Sequence, residues 1–230
     1  MDLVKYYDQY WLNKDDSVDY KRLQLLIDRV NPGDRVLDVD CGPGMLSLEL
    51  KKKGAIVKGT DISSVAVDRA RKKGLDAVQV DLDTETLPFE DNYFDCVISD
   101  SSVEHLFYYE KAIKECIRVT RHAGKFILLA PNIGHWRYRL WLFFGRFPYI
   151  ENSPSDITHL RFMTVHEAKK ICRKYGIKVK ELDGSASLWV EGLYPKIFGA
   201  PIIKQIYTKF ARKFPSLFAR DFVLVCEKPL

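Results

Sequence analysis

The amino-acid sequence predicts a doubly wound α/β fold, in which helices cover both faces of a mostly parallel sheet. Two observations predict it. Apolar segments of strand length alternate with segments whose apolar residues recur at helical spacing, an order typical of parallel strands joined by crossover helices. The composition, with 47% hydrophobic and 29% charged residues among 230, is that of a globular protein. A chain of this length can bury a full core, so we expect residues 1–230 to form a single domain.

Seven strands and six helices are predicted along the chain. The strands cover residues 35–39, 55–59, 76–80, 93–99, 125–130, 177–182 and 222–226. The helices cover residues 20–30, 45–53, 64–73, 108–120, 164–175 and 201–214, and glycine or proline follows several of them. Ligands of such a sheet bind beyond the carboxyl ends of its strands, so the residues after each strand are the first candidates for a functional site.

Acidic residues and glycines follow the first three strands. The first strand ends in Asp38 to Gly44 (DVDCGPG), a turn that lets a ligand approach the backbone closely. Ser47 stands where a dinucleotide-binding turn has its third glycine, which disfavours a dinucleotide enzyme. Asp61 follows the second strand, where an acid accepts hydrogen bonds from ribose hydroxyls. Asp81 follows the third strand, where a carboxylate suits the amino group of a base.

Several classes of protein are excluded by the sequence. The longest apolar stretch, residues 140–144, is far shorter than the roughly 20 residues that span a bilayer. Residues 1–16 lack the pattern of a signal peptide. Five cysteines without a CxxC pair argue against a disulfide framework and a zinc site. The sequence therefore predicts a cytoplasmic protein with no metal site and, because no nucleic-acid-binding signature is present, no nucleic-acid partner.

The motifs taken together resemble those of a known enzyme family. In chain order they are VLDVDCGPG, GTDIS, VDLD, LPFEDNYFDCVIS and EHL, within a resemblance that covers roughly residues 1–183. They resemble the class I S-adenosylmethionine-dependent methyltransferase superfamily, most closely its small-molecule type 11 or type 23 branch. The resemblance implies a Rossmann-like methyltransferase fold whose last strand is antiparallel. It also implies S-adenosylmethionine as the cofactor and S-adenosylhomocysteine as the product.

The resemblance further implies which residues bind the cofactor. The turn of residues 38–44 would wrap its methionine part, Asp61 its ribose, and Asp81 with the Leu82 backbone its adenine. Ser99 would lie beside the sulfonium. The predicted cofactor-binding residues are Asp38, Asp40, Cys41, Gly42, Pro43, Gly44, Asp61, Ile62, Asp81, Leu82 and Ser99.

One position departs from the family pattern. Asp40 stands where the family has a glycine. If this position needs a positive φ, aspartate is among the least unfavourable substitutes, but it adds negative charge beside the cofactor. Two interpretations follow: a competent methyltransferase, or a non-catalytic binding or regulatory protein whose cofactor loop Asp40 has weakened.

Histidines and aromatic residues flank the predicted site. His105, after the fourth strand, is either a general base or part of a structural helix start. By the resemblance, residues 1–30 form a lid and a helix. Residues 131–163, predicted to be irregular, form an insertion on the acceptor side. The predicted substrate-side residues are Tyr6, Tyr10, His135, Trp136, His159 and Arg161.

Residues 184–216 form a basic insertion before the last strand. Between positions 184 and 220, six basic residues against one acidic residue account for the net charge of +5. Residues 201–214 form an amphipathic helix that either packs on the domain or faces a membrane surface or an amphiphile. The sequence thus predicts methyl transfer to an oxygen, nitrogen or carbon atom of a small or lipid-like acceptor, with peripheral membrane contact through residues 201–214.

Overall fold

Seven strands and nine α-helices form in residues 2–186 and 200–230, the part of the chain that the computed structural model describes. The strands are β1 (Arg35–Val39), β2 (Ile56–Asp61), β3 (Asp76–Gln79), β4 (Phe94–Asp100), β5 (Thr120–Pro131), β6 (Lys178–Gly184) and β7 (Asp221–Glu227). The helices are α1 (Leu3–Asn13), α2 (Tyr20–Ile27), α3 (Met45–Lys52), α4 (Ser64–Lys72), α5 (Tyr109–Val119), α6 (Trp136–Phe143), α7 (Val165–Lys174), α8 (Pro201–Lys213) and α9 (Pro215–Phe218). A 3₁₀ turn, Val103–His105, follows β4.

The sheet has the order β3-β2-β1-β4-β5-β7-β6. β7 runs antiparallel to both of its neighbours, and the other adjacent pairs are parallel. The predicted seven-stranded sheet with an antiparallel last strand is confirmed. Chain order reverses at β1, which pairs with β2 on one side and β4 on the other, so a ligand crevice opens beyond the carboxyl ends of these strands.

Both faces of the sheet are buried, as a parallel arrangement requires. On β5, Phe126 and Leu128 belong to one apolar cluster and Ile127 and Leu129 to the other, because successive side chains of a strand point to opposite faces. α5 and α7 cover the first cluster, and α2 and α3 cover the second. No helix in the described ranges is long and apolar enough to cross a membrane.

The segment 131–163 differs from its prediction. It was predicted to be irregular, yet it contains α6, whose first turn is capped by the side chain of His135. The helix predicted over 164–175 forms as α7, and Thr164 caps it, because its Oγ1 accepts from the Glu167 amide at 3.3 Å. Part of the basic insertion, including Glu191 and Lys196, lies outside the described residues.

Candidate cofactor and acceptor site

The glycine turn between β1 and α3 is tight and joined to β2. The Cys41 amide donates to the Thr60 carbonyl at 2.8 Å, and the Gly44 amide donates to the Cys41 carbonyl at 3.0 Å. Gly44 caps α3 with a φ of 82°, a conformation that favours glycine. The turn therefore carries the chain from the end of β1 into α3 and leaves Gly42 beside the end of β2.

Asp61 is a carboxylate at the end of β2, next to the glycine turn. It is only 3% exposed, and each of its oxygens accepts one backbone amide: Oδ2 from Gly42 and Oδ1 from Ser63, both at 2.8 Å. Burial raises its pKa despite these two bonds, so the pocket favours a ligand that donates further hydrogen bonds to it. Each oxygen keeps a second lone pair, which suits the two hydroxyls of a ribose.

Asp38 stabilises the glycine turn through a hydrogen bond to α3. Its Oδ2 accepts from Ser47 Oγ at 2.6 Å, which ties β1 to the first turn of α3. Burial raises the pKa of Asp38 to about 7, and the charges of Asp100 and Asp61 add to this effect. Asp38 thus supports the predicted cofactor turn by fixing the start of α3.

Asp40 occupies a left-handed conformation with a φ of 54°, the positive φ that its position suggested. Its Oδ2 accepts a short hydrogen bond from Ser102 Oγ, which links the ends of β1 and β4. Burial raises the pKa of Asp40, and the neighbouring charge of Asp61 raises it further. The carboxylate therefore has a structural partner at the site.

The ends of β3 and β4 complete the crevice. Asp81 accepts from the Asp83 amide at 3.0 Å and from Thr84 Oγ1 at 2.8 Å, so its carboxylate shapes the turn in which buried Leu82 lies. Ser99, on β4, is 1% exposed, and its Oγ has no hydrogen-bond partner among the described residues. A buried hydroxyl normally has a hydrogen-bond partner, and the Ser99 hydroxyl lies beside the glycine turn and the Asp61 carboxylate that suits a ribose. The site therefore fits a polar cofactor that carries an adenosyl group.

Helix α1 covers this crevice. A Cβ placed on Gly42 would lie 2.8 Å from Cη2 and Cζ2 of Trp11, so the indole rests on the glycine turn. Asp8 accepts from Ser63 Oγ at 2.6 Å and from the Val65 amide at 3.2 Å, which caps α4 from outside. Because the charge of an anion is favourable at a helix N-terminus, Asp8 fastens α1 to α4.

The inward-facing aromatic residues of α1 are not the predicted ones. Tyr6 and Tyr10 are each more than a third exposed, whereas Tyr7 is turned toward the site. Burial raises the pKa of Tyr7, and the charge of Asp40 raises it further. The reason for the difference is helical periodicity, because Tyr7 and Trp11 are four residues apart and share the buried side of α1.

Next to Tyr7 lies a cluster formed by Glu104, His105 and His159. The rings of Tyr7 and His105 are 6.4 Å apart, and those of His105 and His159 are 4.9 Å apart. Burial lowers the pKa of His105 to about 4, and the neighbouring His159 adds to this effect, so the ring is neutral near pH 7. Burial raises the pKa of Glu104 to about 8. Two predicted residues, His105 and His159, are thus brought together here, with Glu104 as an unpredicted third.

The other predicted acceptor-side residues have packing partners. His135 Nε2 and Trp136 Nε1 lie 2.8 and 3.1 Å from Tyr207 Oη, which in turn donates to a carbonyl of α9. These bonds fasten α6 to α8, a role that differs from the predicted one. Arg161 Nη2 donates to the Phe107 carbonyl at 2.9 Å.

Helix α8 leaves most of its apolar residues in solvent. Its packed side includes buried Ala211, while Ile202 is 70% exposed and Ile206, Phe210 and Phe214 are about half exposed. Phe143, at the end of α6, is 80% exposed. Packing on the domain thus accounts for only part of the apolar face that the sequence predicts.

The basic residue Arg212 of α8 pairs with an acidic residue of the sheet. Arg212 donates to both carboxylate oxygens of Asp183 on β6, at 3.1 and 2.9 Å, and Arg29 donates to the same carboxylate at 2.8 Å. Arg212 therefore anchors α8 to β6.

Comparison with known families decides the affiliation of the chain. The family described as "Methionine biosynthesis protein MetW" matches residues 19–198, which is most of the sequence. The chain belongs to the MetW family. The match begins before α2 and ends before α8, so the covering helix α1 lies outside it.

Individual relatives agree with the class I methyltransferase superfamily. The MetW-family chain is 39% identical over 113 residues to "Methyltransferase GfsG" of Streptomyces halstedii, covering 46% of this chain and 39% of that protein. It is 30% identical over 159 residues to the "Ubiquinone biosynthesis O-methyltransferase" of Coxiella burnetii, covering 66% and 67%. The chain spans less than half the length of several curated relatives that it matches.

Solved structures confirm the fold. A SAM-dependent methyltransferase from Archaeoglobus fulgidus superimposes with a TM-score of 0.62 at 21% identity, over 90% of this chain and 92% of that one. The Rossmann-like methyltransferase fold and the class I superfamily, whose cofactor is S-adenosylmethionine, are therefore confirmed for this MetW-family chain. The type 11 or type 23 branch stays a prediction, as do the individual cofactor-binding residues.

Asp8 and Glu104 contribute to the site and were missed from the sequence, whereas Tyr7 and Trp11 belong to the aromatic cluster of the predicted lid but were not chosen as site residues. Tyr7, Asp8 and Trp11 share one side of α1, and the helical periodicity of residues 3–13, counted from the cap Asp2, identifies that side. Glu104 gave no local signal, because His159, which lies near it in the structure, is far away in the sequence.

Proposed function

We propose that this MetW-family protein transfers a methyl group from S-adenosylmethionine to a small-molecule acceptor. The observation that carries the proposal is Asp61, a buried carboxylate at the end of β2 that holds the glycine turn through Gly42 and keeps a free lone pair on each oxygen. That arrangement is suited to a ribose at the switch point of a doubly wound sheet.

The residues of the chain supply positioning, since the bound cofactor carries a methyl group already activated by its sulfonium. Asp61 would bind the ribose hydroxyls, and the turn around Gly42 would accommodate the methionine part. The unpaired Ser99 hydroxyl would hydrogen-bond to the cofactor. Trp11 and Tyr7, on α1, would exclude water from the reacting atoms. Orientation and exclusion of water are the main contributions that such a transfer needs.

The alternative of a non-catalytic binding or regulatory protein is not favoured. It rested on Asp40, which was expected to weaken the cofactor loop. Asp40 adopts a positive φ, and its carboxylate accepts from Ser102, so the loop accommodates the residue without distortion of its Gly42–Asp61 contact. Aspartate also tolerates the left-handed region better than most residues other than glycine.

The acceptor that fits this protein best is amphiphilic, and an oxygen, nitrogen or carbon atom of it receives the methyl group. Two observations support this proposal. A relative is named a ubiquinone biosynthesis O-methyltransferase, and apolar residues of α6 and α8 are widely exposed on this chain. Exposed apolar patches on a protein surface mark interaction sites. Lys209 and Lys213 are exposed in the second half of α8, so an anionic membrane surface is the partner that we propose for a protein of cytoplasmic location.

Calorimetry with S-adenosylmethionine and S-adenosylhomocysteine tests the proposed activity. The Asp61→Asn variant loses the charge of the side chain but keeps its shape. Loss of charge-assisted hydrogen bonds worth about 1.5–3 kcal/mol should raise the dissociation constant roughly ten- to hundredfold. Asp76→Asn, a solvent-exposed carboxylate on β3 that pairs with Lys58, is the matched control and should bind as the wild type does. No detectable cofactor binding by the wild type would refute the proposal, and equal binding by Asp61→Asn would remove Asp61 from the site.

A further inference from the structure

Glu104, His105 and His159 converge from two distant segments of the chain. Glu104 and His105 lie in the 3₁₀ turn after β4, and His159 lies in the loop before α7. The amides of Leu160 and Arg161 donate to the Glu104 carbonyl, at 2.8 and 3.1 Å. The backbone thus fixes the loop that carries His159 against the turn that carries the other two side chains.

Each of the two imidazoles has one ring nitrogen committed to a backbone carbonyl. His105 Nδ1 lies 3.2 Å from the Thr158 carbonyl, and His159 Nδ1 lies 3.3 Å from the Pro154 carbonyl. Because a carbonyl only accepts, the proton of each neutral ring is on Nδ1, and Nε2 keeps its lone pair. Histidines that bind metals have this same arrangement, with one nitrogen donating to a carbonyl and the other free to coordinate.

The carboxylate of Glu104 lacks a donor. The residue is 1% exposed, and neither Oε1 nor Oε2 has a hydrogen-bond partner among residues 2–186 and 200–230. Burial of an unpaired carboxylate is strongly unfavourable, so such a group requires a proton or a cation. One potential ligand atom from each of Glu104, His105 and His159 lies within 4.8 Å of the other two.

We propose that Glu104, His105 and His159 bind one divalent transition-metal ion. Two imidazoles and one carboxylate are the donor set of Zn²⁺ and Fe²⁺ sites, whereas Mg²⁺ and Ca²⁺ prefer oxygen ligands alone. Tetrahedral ligands about 2.1 Å from a zinc ion lie about 3.4 Å apart, so ligand atoms within 4.8 Å of one another need to close by up to about 1.4 Å. The sequence predicted no metal site, because His159 is more than fifty residues from the adjacent Glu104 and His105 and the three form no local motif.

The proposed ion site does not depend on methyl transfer, and its binding is measured without cofactor or acceptor. Three protein ligands leave at least one coordination position for water or another oxygen ligand. The Tyr7 ring, 6.4 Å from that of His105, lies next to the cluster under α1. An ion here would therefore lie beside the covered crevice.

Titration of metal-free protein with Co²⁺ and with Zn²⁺ tests the proposal. The wild type should bind one equivalent, and the cobalt form should show visible d–d bands without a thiolate charge-transfer band. In competition with a chromophoric chelator, Glu104→Gln and His159→Gln should each weaken Zn²⁺ binding by more than about tenfold. Mutating a residue that only hydrogen-bonds to a metal ligand already lowers metal affinity by about that factor. His166→Gln, an exposed histidine on α7, is the control and should bind as the wild type does.

Two results would overturn the proposal. One is a wild type that binds no metal, or variants that bind it unchanged. The other is a thiolate band, since Cys172 and Cys226, with sulfurs 3.5 Å apart, offer a competing pair. If a glutamine variant does not fold, the thermal midpoint of the wild type decides: it should rise with Zn²⁺ by mass action, and a constant midpoint counts against the site.

Discussion

The two ends of the crevice are built differently. On the cofactor side, beyond β1, β2 and β3, the central carboxylate of Asp61 is held by the backbone amides of Gly42 and Ser63, and Asp38 and Asp40 accept from serine hydroxyls. On the predicted acceptor side, formed by α6 and α8, side chains from distant segments hold one another, as Tyr207 does with His135 and Trp136. Apolar residues on that side also remain in solvent.

This difference separates a preformed site from an adaptable surface. Backbone amides cannot leave their strands and turns, so the cofactor side keeps its geometry whether or not a ligand is present. Side-chain contacts between α6 and α8 position those helices and leave their outer residues available for a partner. We therefore expect substitutions on the cofactor side to change cofactor binding, and substitutions on the acceptor side to change stability or surface binding.

Asp183→Ala should have a large effect, and it should act on stability alone. Asp183 is buried and accepts from both Arg29 and Arg212. Removing one partner of a buried ion pair costs about 3–5 kcal/mol, and we expect about 3 kcal/mol because Arg212 is more than half exposed. Urea denaturation measures the loss, and calorimetry should give an unchanged cofactor dissociation constant.

Glu181→Ala provides the matched control for Asp183. Glu181 also pairs with Arg29, but its side chain is half exposed, so its loss should lower the free energy of unfolding by less than about 1 kcal/mol. Weaker cofactor binding by folded Asp183→Ala would mean that the two sides of the crevice are coupled and do not respond independently to substitution.

Removing the two lysines at the end of α8 should weaken membrane binding by roughly thirtyfold. Each basic residue near an anionic surface contributes about 1 kcal/mol, so Lys209→Gln combined with Lys213→Gln should lose about 2 kcal/mol. Co-sedimentation with anionic vesicles at low salt measures it. A pair of exposed lysines elsewhere, Lys52→Gln with Lys170→Gln, controls for net charge. Absence of the wild-type protein from the vesicle pellet would end the membrane proposal.

The sequence predicted the cofactor side well because its information is local. The positions of Asp38, Asp61 and Ser99 follow directly from where strands end, and the sheet confirms those ends to within two residues. The positive φ of Asp40 was inferred from the family glycine at that position. Such features need only strand periodicity and turn chemistry.

The acceptor side was predicted poorly because its information is non-local. Whether His135 faces a ligand or a helix depends on Tyr207, which is 72 residues away along the chain. Whether Arg212 is solvated depends on Asp183, and whether Glu104 has partners depends on a loop more than fifty residues later. No spacing within one segment encodes those contacts, so the sequence could not identify the partners of these side chains.

The ionisable groups of the cofactor side should make stability depend on pH. Burial raises the pKa of Asp38 to about 7, with Asp100 and Asp61 adding negative charge nearby. The folded state therefore holds this proton more tightly than the unfolded state. The stability it contributes is complete below about pH 4 and is lost as the pH rises to about 7, at up to about 1.4 kcal/mol per pH unit.

Asp38→Asn should remove that slope, because asparagine cannot ionise yet still accepts from Ser47. Urea denaturation across this pH range gives the difference between variant and wild type, which should grow with pH and level off near neutrality. Asp68→Asn, an exposed carboxylate on α4, controls for the loss of one charge. A difference that stays constant with pH would show that Asp38 is ionised in the folded protein throughout.

Trp11→Ala should have the smallest effect, on the rate at which the cofactor binds. The indole rests on Gly42 and its carbonyl accepts a short hydrogen bond from Arg69, so α1 must move before a ligand reaches the turn. When only a minor population of a protein can bind its ligand, the apparent affinity falls in proportion to that population. Uncovering the turn should therefore raise the association rate about fivefold, which corresponds to about 1 kcal/mol. Dissociation should quicken as well, because the covering ring is gone.

Surface plasmon resonance with S-adenosylhomocysteine measures both rates, with Leu12→Ala, on the exposed side of α1, as the control. If both rates match those of the wild type, α1 is not a barrier, and the cofactor side is open as well as preformed.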